Sequence, residues 1–257
     1  MLQTIVLSAS TVLIFMIFMF VLAQILKNNS IVDIGWGIGF ILISFMLLLS
    51  KPYTDNKDLV LSFMILVWGF RLAFHIYSRS RGKEEDFRYA QWRKDWGKNA
   101  VLYAFVKVFM LQGIIMLFVS LPIIVELNSN NDKLNLFSFI GIIVFASGLL
   151  FESIGDVQLY CFKRKSENKG RIITTGLWKY TRHPNYFGEA LLWWGIAMFT
   201  IGSELWIVSF IGPLILNLLL VFVSGVPMLE KKFEGNREWE AYKKVTPAFI
   251  PIIGKKG

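Results

Sequence analysis

Seven long apolar runs decide what this chain can fold into. They are Thr4–Leu26, Ile31–Ser50, Leu59–Ser78, Val101–Leu127, Leu134–Ile154, Phe187–Ile201 and Leu205–Leu229. A helix needs about 20 mostly apolar residues to cross the hydrocarbon of a bilayer. Six of the runs meet that length, and Phe187–Ile201 is short. The runs are too long and too uniformly apolar for the alternating strands of a membrane barrel. Only 18% of residues are charged, against roughly a quarter in soluble domains. The expectation is an all-α, polytopic membrane bundle of about seven transmembrane helices, forming one integral membrane domain over residues 1–257. The first run has no cation before Lys27 and is longer than a secretory signal core, so it reads as a membrane helix.

The cations orient the bundle. Segments 79–100, 155–182 and 230–257 hold 21 of the 27 lysines and arginines. Seven crossings place all three segments on one side, which the positive-inside rule makes cytoplasmic. The N-terminus is then outside and the C-terminus inside. The net charge of +9 follows from topology, and no soluble part is left to carry nucleic-acid binding. Glu84–Asp95 and Asn236–Lys244 mix aromatics with charges, as short helices lying at an interface do.

A charge placed in mid-membrane costs roughly 2.5–3.5 kcal/mol, so charged residues within apolar runs need a partner or a task. Asp33, Arg71, Lys107, Glu152 and Glu189 are the cases here. Arg71 could pair with Asp33 or meet an anionic ligand, and Lys107 can snorkel. The densest polar constellation runs from Gly155 to Glu189. Asp156, Tyr160 and Lys163 follow i, i+4, i+7 spacing on one helix face. Pro184 can open a helix, which sets Asn185 and Glu189 four residues apart just inside the membrane. Such an amide and carboxylate could bind a polar head group, and the nearby cations could bind phosphates. A capped helix with a basic interfacial loop explains the same residues, and both readings stay open at this point.

Other templates fail. No glycine-rich dinucleotide fingerprint follows a strand, and there is no P-loop. Two histidines and one cysteine make a His/Cys metal site unfavourable. Gly35 and Gly39 are suited to close helix packing.

The segment Arg182-His183-Pro184-Asn185-Tyr186-Phe187-Gly188-Glu189 resembles the C-terminal region of the steroid 5-alpha-reductase family and of sterol reductases. The resemblance covers about residues 150–251, and the whole chain looks most like an uncharacterised bacterial branch of that superfamily. It implies NADPH as cofactor. Asn185 and Glu189 match the residues that hold the nicotinamide end, and Asp156, Lys163 and Arg171 those near phosphates and ribose. Arg182 and His183 belong to the motif itself. Arg71 and Arg81 match cofactor-contacting arginines, and Tyr242 matches a tail tyrosine ahead of Ile250-Pro251. The family's proton-donating tyrosine is replaced by Trp68, so Asp33, Tyr160 and Tyr186 are the candidate catalytic acids. More distantly, isoprenylcysteine and phospholipid methyltransferases share the Arg-His-Pro core and a final glutamate that Glu230 could match.

The implied function is reduction of an activated carbon–carbon double bond in a lipid-like substrate that enters from the bilayer of a bacterial inner membrane. The hydride comes from the cofactor and the proton from an acid nearby. Methyl transfer from S-adenosylmethionine is the alternative, and a non-catalytic membrane protein that kept the fold is the third reading.

Overall fold

The structure is a computed structural model, and it describes residues 1–252, so Lys255 and Lys256 of the basic tail lie outside the described residues. Helices and short connections make up the described chain, a polytopic bundle without strands among the described residues. Six helical stretches there are long and apolar enough to cross a membrane. The seventh expected crossing, α9 (Pro184–Phe199), has 16 residues, which is about 24 Å of helix. Two compact units describe the chain: residues 1–134 with 202–212, and residues 135–201 with the chain from 213 onward.

The first unit holds α1 (Leu2–Leu26), α2 (Ile31–Ser50), α3 (Asn56–Ser80) and the short helix α4 (Phe87–Trp96). A continuous helical stretch follows through α5 (Ala100–Ala104), a π-helical turn (Phe105–Met110) and α6 (Leu111–Val119). Pro122 then sits in the first turn of α7 (Leu121–Asn128), where its missing N–H costs nothing. Helices α2 and α3 meet backbone to backbone at Gly37 and Gly69: a Cβ on Gly37 would lie 2.4 Å from the Gly69 carbonyl oxygen. Gly35 and Gly39 face Met19 and Met116 side chains instead, so the backbone approach falls midway between the expected pair, two residues from each.

Both ends of this unit are tied by charge. At one end Lys57, fully buried, lies 2.8 Å from Glu126 and donates to Ser203 at 2.8 Å. Lys51 pairs with Asp58 at 2.6 Å, and Asp58 completes the capping box that starts α3. At the other end Asp33 accepts from Arg88 at 3.0 Å and from Tyr89 Oη at 2.6 Å. Glu85 accepts from Arg93 and from the Asn29 backbone N–H, which pins α4 against the start of α2. Asp33, expected as a proton donor or as a partner of Arg71, thus has both carboxylate oxygens on residues of α4.

The second unit is organised by α8 (Leu136–Arg164) and α9, with all but the first two residues of α10 (Ile211–Leu218), a π-helical turn (Leu219–Val223), α11 (Val226–Glu230) and the tail helix α12 (Arg237–Val245) following. Helix α8 runs ten residues beyond the end of its apolar run, out to Arg164. Glycines spaced by seven set the α8–α9 contact: Gly141, Gly148 and Gly155 on one helix, Gly188 and Gly195 on the other. A Cβ on Gly148 would lie 2.4 Å from the Leu192 nitrogen, and one on Gly188 would lie 2.4 Å from the Glu152 nitrogen. Only hydrogen at these positions lets the backbones approach so closely.

Candidate functional site

The tight α8–α9 pair brings the Arg-His-Pro turn against the C-terminal part of α8. Pro184 starts α9. Gly155 lies beneath it, and a Cβ there would sit 3.2 Å from Asn185 N. Asp156 follows and accepts from Asn185 Nδ2 at 3.1 Å. Glu152 lies one turn earlier on α8, and Glu189 lies one turn after Asn185 on α9. All three acids are buried: Glu152 is 2%, Asp156 6% and Glu189 9% exposed. The amide oxygen of Asn185, Oδ1, is buried with no hydrogen-bond partner among the described residues.

Arg182 ties this turn to the C-terminal part of the chain. Its Nε and Nη2 donate to the two oxygens of Glu230 at 2.8 and 3.2 Å. Its Nη1 donates to the Thr246 carbonyl at 2.6 Å, and its guanidinium lies 5.7 Å over the Trp239 ring. His183 Nε2 is 3.1 Å from the same Glu230 carboxylate, and its ring stacks on Tyr186 with centroids 5.6 Å apart. The Arg182 N–H donates to the Pro247 carbonyl, and Thr181 Oγ1 donates to the Phe249 carbonyl. Tyr242 Oη donates to the Trp178 carbonyl, and Trp178 Nε1 donates to the Gly155 carbonyl at 3.1 Å. Burial pushes the Tyr242 phenol up from its usual 10.0, against Arg182 and with Glu230, which keeps it a donor. A planar guanidinium suits this place, because one flat fork meets a carboxylate and a carbonyl at once.

The residues expected from sequence divide into three groups. Asp156, Arg182, His183, Asn185, Tyr186, Glu189 and Tyr242 are brought together around the first turns of α9 and the tail that folds onto them. Lys163, Arg171 and Tyr160 are exposed on the rim, where Arg164 lies over the Tyr160 ring. Asp33, Arg71 and Arg81 belong to the first unit. Glu230 gains most from the structure. It entered the reading only as a match to methyltransferases, yet it is the residue on which Arg182 and His183 converge. Among the described residues no cluster of His, Cys, Asp and Glu could hold a metal ion.

A membrane bundle closed around an Arg-His-Pro turn and a glutamate is the class that fold and site define. The chain belongs to the family described as protein of unknown function (DUF1295), which it matches over residues 19–246. It is 24% identical to an uncharacterised protein of Schizosaccharomyces pombe over 206 residues, 69% of this chain and 59% of that one. It is 38% identical to a probable O-methyltransferase of Ustilaginoidea virens over 58 residues, 23% of this chain and 20% of that one. It is 27% identical to a methanethiol S-methyltransferase of Crocosphaera subtropica over 130 residues, 48% of this chain and 47% of that one. The chain thus covers between 20% and 59% of the length of these relatives. No solved structure matches it.

Proposed function

We propose that this protein is a membrane-embedded methyltransferase that carries the methyl group of S-adenosylmethionine to a sulfur or oxygen atom of a small or lipid-like acceptor. The observation that carries the reading is the convergence of Arg182 and His183 on the Glu230 carboxylate. An Arg-His-Pro core closed by a late glutamate is the pair of features that the sequence shares with lipid methyltransferases. The buried Asn185 Oδ1 adds an acceptor for an amine or a ribose hydroxyl. Two relatives named as methyltransferases agree with this choice.

When bound, S-adenosylmethionine supplies an electrophilic methyl: the acceptor heteroatom bonds to it, the methyl–sulfur bond breaks onto the leaving thioether, and the acceptor's proton is released. The chain's own part is positional. Asn185 and Asp156 hold the polar end of the donor. Glu230 fixes Arg182 and His183, and Tyr186, stacked on His183, offers an aromatic face to positive charge. NADPH-dependent reduction is the competing reading, since a nicotinamide carboxamide would also satisfy Asn185 Oδ1.

The test is a melting-temperature titration of purified protein with S-adenosylmethionine, S-adenosylhomocysteine and NADPH. Ligand at 100 times its dissociation constant stabilises by about 2.7 kcal/mol, so binding is readable before any acceptor is known. The two sulfur compounds should stabilise the wild type, and Asn185→Leu should lose that response while keeping its own melting temperature within a few degrees. Stabilisation by NADPH alone would replace methyl transfer with the reductase reading.

A further inference from the structure

A second site lies at the C-terminal end of α8, apart from the one above. A cavity of about 290 Å³ opens between the last two turns of the helix and the chain that returns from it. Gln158, Cys161, Phe162, Lys165, Asn168 and Thr175 are among the residues that line it. Two of its walls are held by the backbone. Gln158 Oε1 accepts from Leu177 N at 2.9 Å, and Asn168 Nδ2 donates to the Phe162 carbonyl at 3.0 Å. Ile172 packs with Trp239 and Tyr242, whereas the next residue, Ile173, lines the cavity. The returning chain therefore separates this cavity from the tail and the Arg182–Glu230 pair.

Depth and charge indicate what the cavity takes. Helix α8 has 29 residues, about 43 Å at 1.5 Å per residue. The bilayer is about 30 Å thick in hydrocarbon and 40–45 Å with its headgroups. A helix of that length carries its last turns to headgroup depth. Lys163, Arg164, Lys165, Lys169 and Arg171 are all exposed along this segment, and Lys165 lines the cavity. Between residues 157 and 171 the only acid is Glu167, and its carboxylate stays 4.0 Å from Lys165. Basic clusters directly beyond a membrane helix attract anionic lipid. Here the cluster has a concave, hydrogen-bonding seat beside it.

We propose that this cavity binds the phosphate-bearing headgroup of an anionic membrane phospholipid. Lys165 meets the phosphate, and Gln158, Asn168 and Thr175 hydrogen-bond the rest of the headgroup. The site is independent of methyl transfer and of its donor.

Cys161, the single cysteine of the chain, is exposed and lines the cavity, so it reports occupancy. The experiment follows the rate of maleimide labelling of Cys161 in detergent-purified full-length protein. The probes are dioctanoyl phosphatidylglycerol, dioctanoyl phosphatidylcholine and inorganic phosphate. Phosphatidylglycerol at ten times its dissociation constant should slow labelling about tenfold by simple occupancy. Phosphatidylcholine and inorganic phosphate should leave the rate unchanged. Lys165→Glu should abolish the protection, and Lys27→Glu, at an exposed cation of the first unit, should keep it. Equal protection by phosphatidylcholine, protection by inorganic phosphate at the same concentration, no protection at all, or protection that survives Lys165→Glu would each overturn the proposal.

Discussion

Lys57 and Glu126 show how much a single residue's surroundings decide in this protein. Both are 1% exposed or less, 2.8 Å apart, with Ser203 bonded to each. Removing one member of such a pair leaves the other charge buried and alone, at a cost of about 3–5 kcal/mol. Glu126→Ala should therefore lower the melting temperature in detergent sharply. The double change Lys57→Met with Glu126→Leu, which removes both charges and keeps the volume, should recover most of the loss. A double variant as unstable as Glu126→Ala would show that the pair does more than neutralise itself. Neither residue stood out in the sequence, because each lies at the margin of an apolar run, where a charge normally reaches water. Asp33 did stand out, but its partners Arg88 and Tyr89 are 55 and 56 residues away. Nothing local distinguishes a carboxylate that is held from one that is free to give up a proton.

At the scale of elements, the apolar runs were legible and their ends were not. Helix α8 continues past its apolar part because Gln158, Lys163 and Arg164 are good helix formers that need no lipid. The Arg-His-Pro turn was legible as a motif. Its closure by Glu230 spans 48 residues and required the fold. The seven-residue glycine spacing on α8 and α9 is plain in the sequence, yet it has meaning only once the two helices are known to face each other. That contact carries a prediction. At Gly148 an added methyl would meet backbone, 2.4 Å from Leu192 N, and backbone cannot step aside. At Gly113 it would meet the Met16 and Val12 side chains at 3.1 and 3.2 Å, which can adjust. Overpacking of this kind costs about 1–3 kcal/mol. Gly148→Ala should lower the melting temperature well beyond Gly113→Ala. It should also weaken donor binding, because separating the helices pulls Asp156 from Asn185. Equal effects from the two changes would mean that α8 and α9 pack less closely than their glycines indicate.

For the whole molecule, the question that its charge poses is which way it faces. Most of the exposed cations fall in segments 79–98, 163–179 and 231–244 of the chain, while the turn between α2 and α3 keeps its lysines paired or buried. Segments of that kind are retained on the cytoplasmic side during insertion. Cys161 lies beside the second of them, at the end of α8, and is exposed. In intact spheroplasts that express the full chain, a membrane-permeant maleimide should therefore label Cys161. A charged, impermeant maleimide should label it only after the membrane is opened. A cysteine introduced at Tyr53, exposed in the turn between α2 and α3, in a chain where Cys161 is replaced by serine, should show the reverse. Impermeant labelling of Cys161 in intact spheroplasts would invert the topology. It would also place the proposed lipid seat and the Arg182–Glu230 site on the outer face, where a cytoplasmic methyl donor could not reach them.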